Sequence, residues 1–137
     1  MVLCLVGFCS GFATAPYHSL LPVYVEADLA RLPLFTAYLR SLALGLGGIF
    51  AIVGGRLADL LGLKATMLLG MAGGALTGLV FHSSHVAVLT VLVLIIGAAG
   101  GPWSTAGQSY LIAAAGPSRL GLGGALYFVS GTAGNSV

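Results

Sequence analysis

The stretch 87–115, AVLTVLVLIIGAAGGPWSTAGQSYLIAAA, decides the fold class, because it contains no Asp, Glu, Lys or Arg. An α-helix rises about 1.5 Å per residue, so about 20 apolar residues cross the hydrocarbon core of a bilayer. This stretch is long enough to cross it. Gly100, Gly101 and Pro102 lie in its middle and predict a break there. We therefore predict a membrane-spanning helix over about 87–115 that is interrupted at 100–102.

The whole chain has the same character as this stretch. Hydrophobic residues make up 58% of its 137 residues and charged residues 6%, whereas a soluble domain carries about 25% charged residues. The apolar runs are longer than the roughly ten-residue alternating strands of a membrane β-barrel. Because helices are the remaining way to satisfy backbone hydrogen bonds in hydrocarbon, the sequence predicts an all-α integral membrane protein that contacts the lipid bilayer. The net charge of +2 is scattered, and no basic cluster indicates a nucleic-acid partner.

Four further apolar runs flank this stretch and bring the number of predicted transmembrane helices to five. The charged segment 26–33, a polar turn that begins at Arg56 and carries Asp59 and Lys64, and the turns 82–85 and 116–119 separate them. The last run is still apolar at Val137, without a loop or a charged anchor, so we expect the chain to be a fragment of a longer protein. The five predicted helices cover about 2–25, 35–55, 66–81, 87–115 and 120–137.

Basic residues near the helix ends predict how the chain crosses the membrane. Arg56, Lys64 and Arg119 fall on one side, and Arg31 and Arg40 fall on the other. Because short loops rich in Lys and Arg stay in the cytoplasm, this distribution places the N-terminus in the cytoplasm. We expect a multi-pass protein of the cell membrane, of the prokaryotic inner or plasma membrane type.

Small residues recur at intervals of four in three of the predicted helices. The chain contains 22 glycines, and helix residues four apart share one face. Small residues spaced in this way let two helix backbones approach closely, which drives helix association in lipid. The sequence therefore predicts a compact bundle. The residues expected at its helix contacts are Ala43, Gly47, Ala51, Gly70, Gly74, Gly78, Gly97 and Gly101.

The segment 55–64, GRLADLLGLK, follows the second predicted helix on the predicted cytoplasmic side. It resembles the signature loop between helices 2 and 3 of the major facilitator superfamily, in which Gly-x-Leu-Ala-Asp is followed by basic residues around a second glycine. Leu60 and Leu63 stand where that family usually has basic residues. The positions that match the signature are Gly55, Leu57, Ala58, Asp59, Gly62 and Lys64.

A second stretch, 95–108, is similar to helix 4 of the same family. In many proton-coupled members an arginine precedes the first glycine of this helix by four residues, and here that position is Val93. The sequence therefore leaves open whether a coupling ion such as a proton takes part.

The resemblance implies both an architecture and a function. It implies five of the six transmembrane helices of an N-terminal bundle, with the C-terminal half of the same protein as the partner. It also implies secondary transport of a small solute by alternating access, with no enzymatic step and no cofactor. The loop around Asp59 would lock a cytoplasmic gate, and the alternative is an interfacial turn with positive-inside charges. For the whole chain, the alternative is a non-transporting membrane module for assembly or interaction.

Polar residues follow one face of the first predicted helix. Ser10, Thr14 and Tyr17 are spaced four and three residues apart, and His18 follows directly. A polar stripe in an apolar helix faces the bundle interior or a water-filled cavity, or else its hydroxyls bond carbonyls of their own helix. The predicted cavity-lining residues are Ser10, Thr14, Tyr17, His18, Ser104 and Gln108.

Arg40 precedes Asp59 by roughly 28 Å along a continuous helix. This depth predicts a place near the outer interface, where the side chain can snorkel to the headgroups; contact with an anionic solute is the alternative. Because no charged residue falls in the middle of a predicted helix, the sequence favours a neutral or apolar solute. His82 and His85 have the spacing of metal ligands, but two residues are too few for us to predict a metal site.

Overall fold

The computed structural model describes residues 2–29, 32–115 and 120–136. Within these ranges every regular element is an α-helix, which confirms the all-α class. The predicted turn 116–119, with Arg119, lies outside the described residues, as does Arg31. The helices are α1 (Val2–Ala27), α2 (Pro33–Leu61), α3 (Leu63–Ala75), α4 (Thr77–Val80), α5 (Val86–Ala115) and α6 (Leu120–Asn135).

Three helical stretches in the described ranges are long and apolar enough to span a membrane: α2, α3 together with α4, and α5. α1 has the length, with 26 residues, but is not among these three stretches. α6 has 16 residues, fewer than the roughly 20 that a span needs. The all-α membrane class is therefore shown, and five crossings remain a prediction.

α2 is longer than predicted and includes most of the segment 55–64. The sequence predicted a polar turn from Arg56, but the helix continues to Leu61. The intervening leucines and alanine are good helix formers, and no breaker precedes Gly62. Asp59 therefore lies on the last turn of the helix rather than in a loop.

α5 runs without a break through Pro102, so the predicted interruption at 100–102 was wrong. Proline removes one helix hydrogen bond and crowds the carbonyl four residues earlier. Here Pro102 is buried against α2, where Gly54 leaves room for it; a Cβ added to Gly54 would lie 2.6 Å from the Pro102 Cα. Packing against a neighbouring helix makes such a proline tolerable within a membrane.

The third predicted helix, 66–81, begins earlier, at Leu63, and is divided by a turn at Leu76. The Leu76 N–H donates to the Gly73 carbonyl at 3.2 Å, a tighter bond than the α-helical pattern. The two adjacent glycines before the turn lower local helix stability. At the chain ends, α1 continues slightly beyond its predicted end and α6 ends slightly before its own.

α2 and α5 run parallel to each other and pack through small residues. A Cβ added to Gly97 would lie 2.6 Å from the Cα of Ala43, and one added to Gly101 would lie 2.5 Å from the backbone N of Ala51. Between these contacts, a Cβ on Gly47 would lie 3.0 Å from the Gly97 carbonyl oxygen. Backbone thus lies directly against backbone, which is the close approach that small residues allow.

α3 runs antiparallel to α5 and packs against its other side. A Cβ on Gly70 would lie 2.7 Å from the Trp103 Cβ, and Gly73 contacts α5 one turn further on. A Cβ at Gly74 or Gly78 would meet no atom within 4 Å, so neither glycine lies at a contact between the described helices. Residues three and four apart both lie near one helix face, and here the contact follows the interval of three.

α1 packs in parallel with α6 through glycines that the sequence analysis did not select. The Cβ position of Gly11 meets the Gly131 carbonyl, and that of Gly134 lies 2.9 Å from the Phe12 backbone N. The described bundle therefore consists of an α1–α6 pair and a group formed by α2, α3 and α5.

Candidate functional site: a cavity between the helix groups

A cavity of about 1310 Å³ lies between the α1–α6 pair and the group of α2, α3 and α5. Along α2 its wall extends from Arg40 to Ala51, which corresponds to roughly 16 Å of helix. Glycine and alanine make up 14 of the 29 residues that line it, because the contacts that hold the helices together use some of the same small residues. The small-residue packing thus also keeps the cavity wide.

The polar stripe of α1 lies on this cavity. Ser10, Thr14, Tyr17 and His18 all contribute to its wall. The Thr14 hydroxyl lies 3.0 Å from the Ser10 carbonyl and 3.3 Å from Oδ1 of Asn135 on α6. Both interpretations of the stripe therefore apply to Thr14, because its side chain lines the cavity and its hydroxyl also forms a hydrogen bond with a carbonyl of its own helix. The rings of Tyr17 and His18 meet edge to face, with centroids 5.2 Å apart.

Arg40 lies in the cavity wall. The sequence had instead predicted that its side chain is directed to the outer interface of the membrane. The side chain is half-buried, and its Nη2 donates to the backbone carbonyl of His18. This bond crosses from α2 to α1, so Arg40 joins the two helix groups at the edge of the cavity. Arg40 and Asp59 lie on one continuous helix, as the predicted spacing assumed, but the Arg40 side chain is directed toward α1.

The two predicted positions on α5 differ from each other. Ser104 lines the cavity, and its hydroxyl donates to the Gly101 carbonyl at 2.9 Å. Gln108, one turn further on, is exposed and does not belong to the wall. The cavity therefore ends near Ser104 on this helix.

Three polar residues of α6 complete the wall, and the sequence analysis missed all three. Tyr127, Thr132 and Asn135 line the cavity. The Tyr127 hydroxyl reaches α5, where it lies 2.7 Å from the Cβ position of Gly107. Tyr127 and Asn135 are eight residues apart with Gly131 between them, and this interval of four on α6 was the signal available in the sequence.

An apolar cluster closes the bundle beyond Tyr17, at the end where α1 ends and α2 begins. We call this the α1–α2 end. Leu21, Val25, Leu89 and Val93 are fully buried there, together with Leu39 and Val80. The Tyr24 hydroxyl donates to the Ser83 carbonyl at 2.9 Å and fastens α1 to the turn before α5. The cavity is thus sealed by side-chain packing on this side.

The segment 55–64 lies at the opposite end of α2, which we call the α2–α3 end. Gly62 adopts φ 86° and ψ 156° and forms the whole connection between α2 and α3. Asp59 and Lys64 are exposed. Both charges are therefore presented at the surface of this end.

Replacing Gly62 with alanine is expected to destabilise the protein by roughly 1–3 kcal/mol, because this backbone region is essentially reserved for glycine. The measurement is the free energy of unfolding in an SDS titration. Gly55→Ala is the matched control, because a Cβ there meets no atom within 4 Å and the residue is helical. Equal stability of the two variants would contradict the role of the turn.

The family model described as Major Facilitator Superfamily matches residues 3–137, nearly the whole chain. No curated protein and no solved structure matches the chain.

Proposed function

Because the chain belongs to the major facilitator superfamily, and is thus part of a membrane transporter of that type, we propose that it moves a small solute by alternating access. The cavity of about 1310 Å³ is the observation that supports this. It combines small apolar walls with a few polar groups, as a solute pathway requires. A non-transporting module needs no such space between its helices.

In this proposal the chain supplies five helices of a six-helix N-terminal bundle. The C-terminal half of the same protein faces the cavity from the other side, and the two halves rock about the solute between them. The N-terminus lies in the cytoplasm of a cell whose plasma membrane the protein spans. The exposed charges Arg56 and Lys64 at the α2–α3 end support this orientation, because basic residues prefer the cytoplasmic side.

The segment around Asp59 acts as the cytoplasmic gate in this proposal. The Asp59 carboxylate lies on the last turn of α2 and is exposed in this bundle. It is therefore available to accept hydrogen bonds from another part of the protein. Such charge-assisted bonds contribute about 1.5–3 kcal/mol. This is enough to hold a closed gate against an open one.

Cys9 provides a test that does not require the solute. Cys9 is a free, exposed thiol that lines the cavity, whereas Cys4 is half-buried. In a Cys4→Ser background, a membrane-impermeant maleimide is applied to right-side-out and to inside-out vesicles. Alternating access predicts labelling of Cys9 from both faces. Labelling from a single face would favour the non-transporting module.

Replacing Asp59 with asparagine is expected to raise the rate of Cys9 labelling from the cytoplasmic face about tenfold. Loss of one charge-assisted bond of about 1.5 kcal/mol, the lower end of the range above, shifts the closed–open equilibrium by about that factor. Asp28→Asn is the matched control, since this exposed carboxylate lies just beyond the other end of the bundle. An unchanged labelling rate in the Asp59 variant would remove the gate from the proposal and leave the transport function standing.

A further inference from the structure

Arg40 is the one Arg or Lys side chain in the described wall of the cavity. Its guanidinium carries five N–H donors. Within the described ranges, its hydrogen bond goes to the His18 carbonyl, which occupies one of these donors. Most of the hydrogen-bonding capacity of Arg40 is therefore available to a group that enters the cavity.

No carboxylate of the described wall balances this charge. The acidic residues of the chain are Glu26, Asp28 and Asp59, and all three are exposed and lie outside the wall. A charge inside a membrane protein is costly unless it has a partner or reaches water. The remaining polar side chains of the wall are hydroxyls, one thiol, one amide and the imidazole of His18, none of which is an anion, so an anion is the partner that this site lacks.

The rest of the wall is suited to an apolar body. Ile96, Trp103 and Phe128 line the cavity together with glycines and alanines. A planar carboxylate can accept two parallel N–H bonds from a guanidinium, while its hydrocarbon part packs on the apolar wall. This arrangement requires the charged and apolar parts of the ligand to be separate.

The geometry points to an anion subsite at Arg40, with largely apolar organic acids that carry one carboxylate as the substrate class. This inference rests on the proposed transport function and specifies its solute. It replaces the neutral solute favoured by the sequence, because that expectation depended on placing Arg40 at the outer interface. The headgroup of an anionic lipid shares the same oxyanion chemistry, and the test below separates the two sources.

The test measures equilibrium binding of benzoate and of benzamide, its neutral isostere, to the purified protein by titration calorimetry. The protein is held in nanodiscs of phosphatidylcholine, which has no net charge. Benzoate is expected to bind at least about tenfold more tightly than benzamide, since a hydrogen bond to a charged group contributes about 1.5–3 kcal/mol. Equal affinities, or no binding of either probe at about 10 mM, would overturn the inference.

Arg40→Gln is expected to weaken benzoate binding about tenfold and to leave benzamide binding within about twofold. Arg40→Lys keeps the charge but not the pair of parallel N–H donors, so it is expected to restore only part of the affinity. Arg56→Gln is the matched control, because it removes an exposed arginine of the same helix that lies outside the cavity wall. Equal loss of benzoate binding in the Arg56 variant would show a general charge effect and overturn the subsite.

Two further measurements show whether a lipid or a solute occupies the subsite, and whether the subsite or the transport function fails. Nanodiscs that contain phosphatidylglycerol test the lipid source: competition with benzoate in the wild type but not in Arg40→Gln means that a lipid headgroup occupies the same subsite. Cys9 labelling separates this inference from the proposed function. If Cys9 is labelled from both faces while Arg40→Gln leaves benzoate binding unchanged, the subsite fails and the transport function stands.

Discussion

Replacing Gly97 with leucine is expected to destabilise the bundle by roughly 3 kcal/mol or more. A Cβ at this position would lie 2.5 Å from the carbonyl oxygen of Ala43 and 2.6 Å from its Cα. These are backbone atoms, so no side-chain rotation can relieve the clash, and α2 and α5 must separate. Overpacking typically costs about 1–3 kcal/mol where side chains can adjust, and here they cannot. The measurement is the unfolding free energy in an SDS titration.

Gly100→Leu is the matched control for this prediction. Gly100 lies on the same helix, three residues from Gly97, and a Cβ there meets no atom within 4 Å. Because leucine favours helix over glycine by about 0.8 kcal/mol, this variant should be as stable as the wild type or slightly more stable. Equal losses in the two variants would mean that glycine is needed along all of α5, rather than at its contact with α2.

The effect of Gly97 extends to function because the same contact forms one wall of the cavity. Gly47, Gly97 and Gly101 hold α2 against α5 and also line the open space. A bundle that separates here therefore loses the cavity wall along with its stability. Gly97→Leu should also abolish benzoate binding. Gly100→Leu also places a leucine side chain in the cavity wall but leaves the contact between α2 and α5 intact, so it separates filling of the cavity from loss of the contact.

Much of the packing could be predicted from the sequence, because spacing along a helix determines which residues share a face. The interval of four selected Ala43, Gly47 and Gly97, which lie at close approaches between α2 and α5. It does not distinguish Gly74 from Gly73, because residues three and four apart lie nearly equally close to one face, and the partner helix determines which of them makes contact. Spacing is a local property and contains no information about the partner.

The cavity residues also show that spacing along one helix predicts some properties of a residue but not its contacts with other helices. Sequence determined the depth of Arg40 along α2 but not its direction around the helix axis, since its neighbours are apolar or small on every side. Tyr127 was missed because its role depends on Gly107, a residue of another helix that leaves room for its hydroxyl. Gly62 was predictable as a turn, because it follows the last good helix formers of α2.

Replacing Gly48 with tryptophan is expected to reduce benzoate uptake into proteoliposomes to that of vesicles without protein. Gly48 lines the cavity, and a Cβ there meets no atom within 4 Å, so the indole has room to enter without disturbing a helix contact. A volume of about 1310 Å³ over a length of roughly 16 Å gives a passage roughly 10 Å across. The largest side chain placed in its wall should therefore block it.

Gly45→Trp is the matched control, because a Cβ at Gly45 is equally unobstructed but the residue lies outside the cavity wall. Wild-type unfolding free energies in both variants would confirm that neither disturbs the packing of α2. Labelling of Cys9 from the outer face gives a readout that does not depend on the solute, and it should fall in the Gly48 variant alone. If the Gly48 variant keeps both its uptake and its labelling, solute does not pass between the α1–α6 pair and α2, and the pathway must lie elsewhere in the protein.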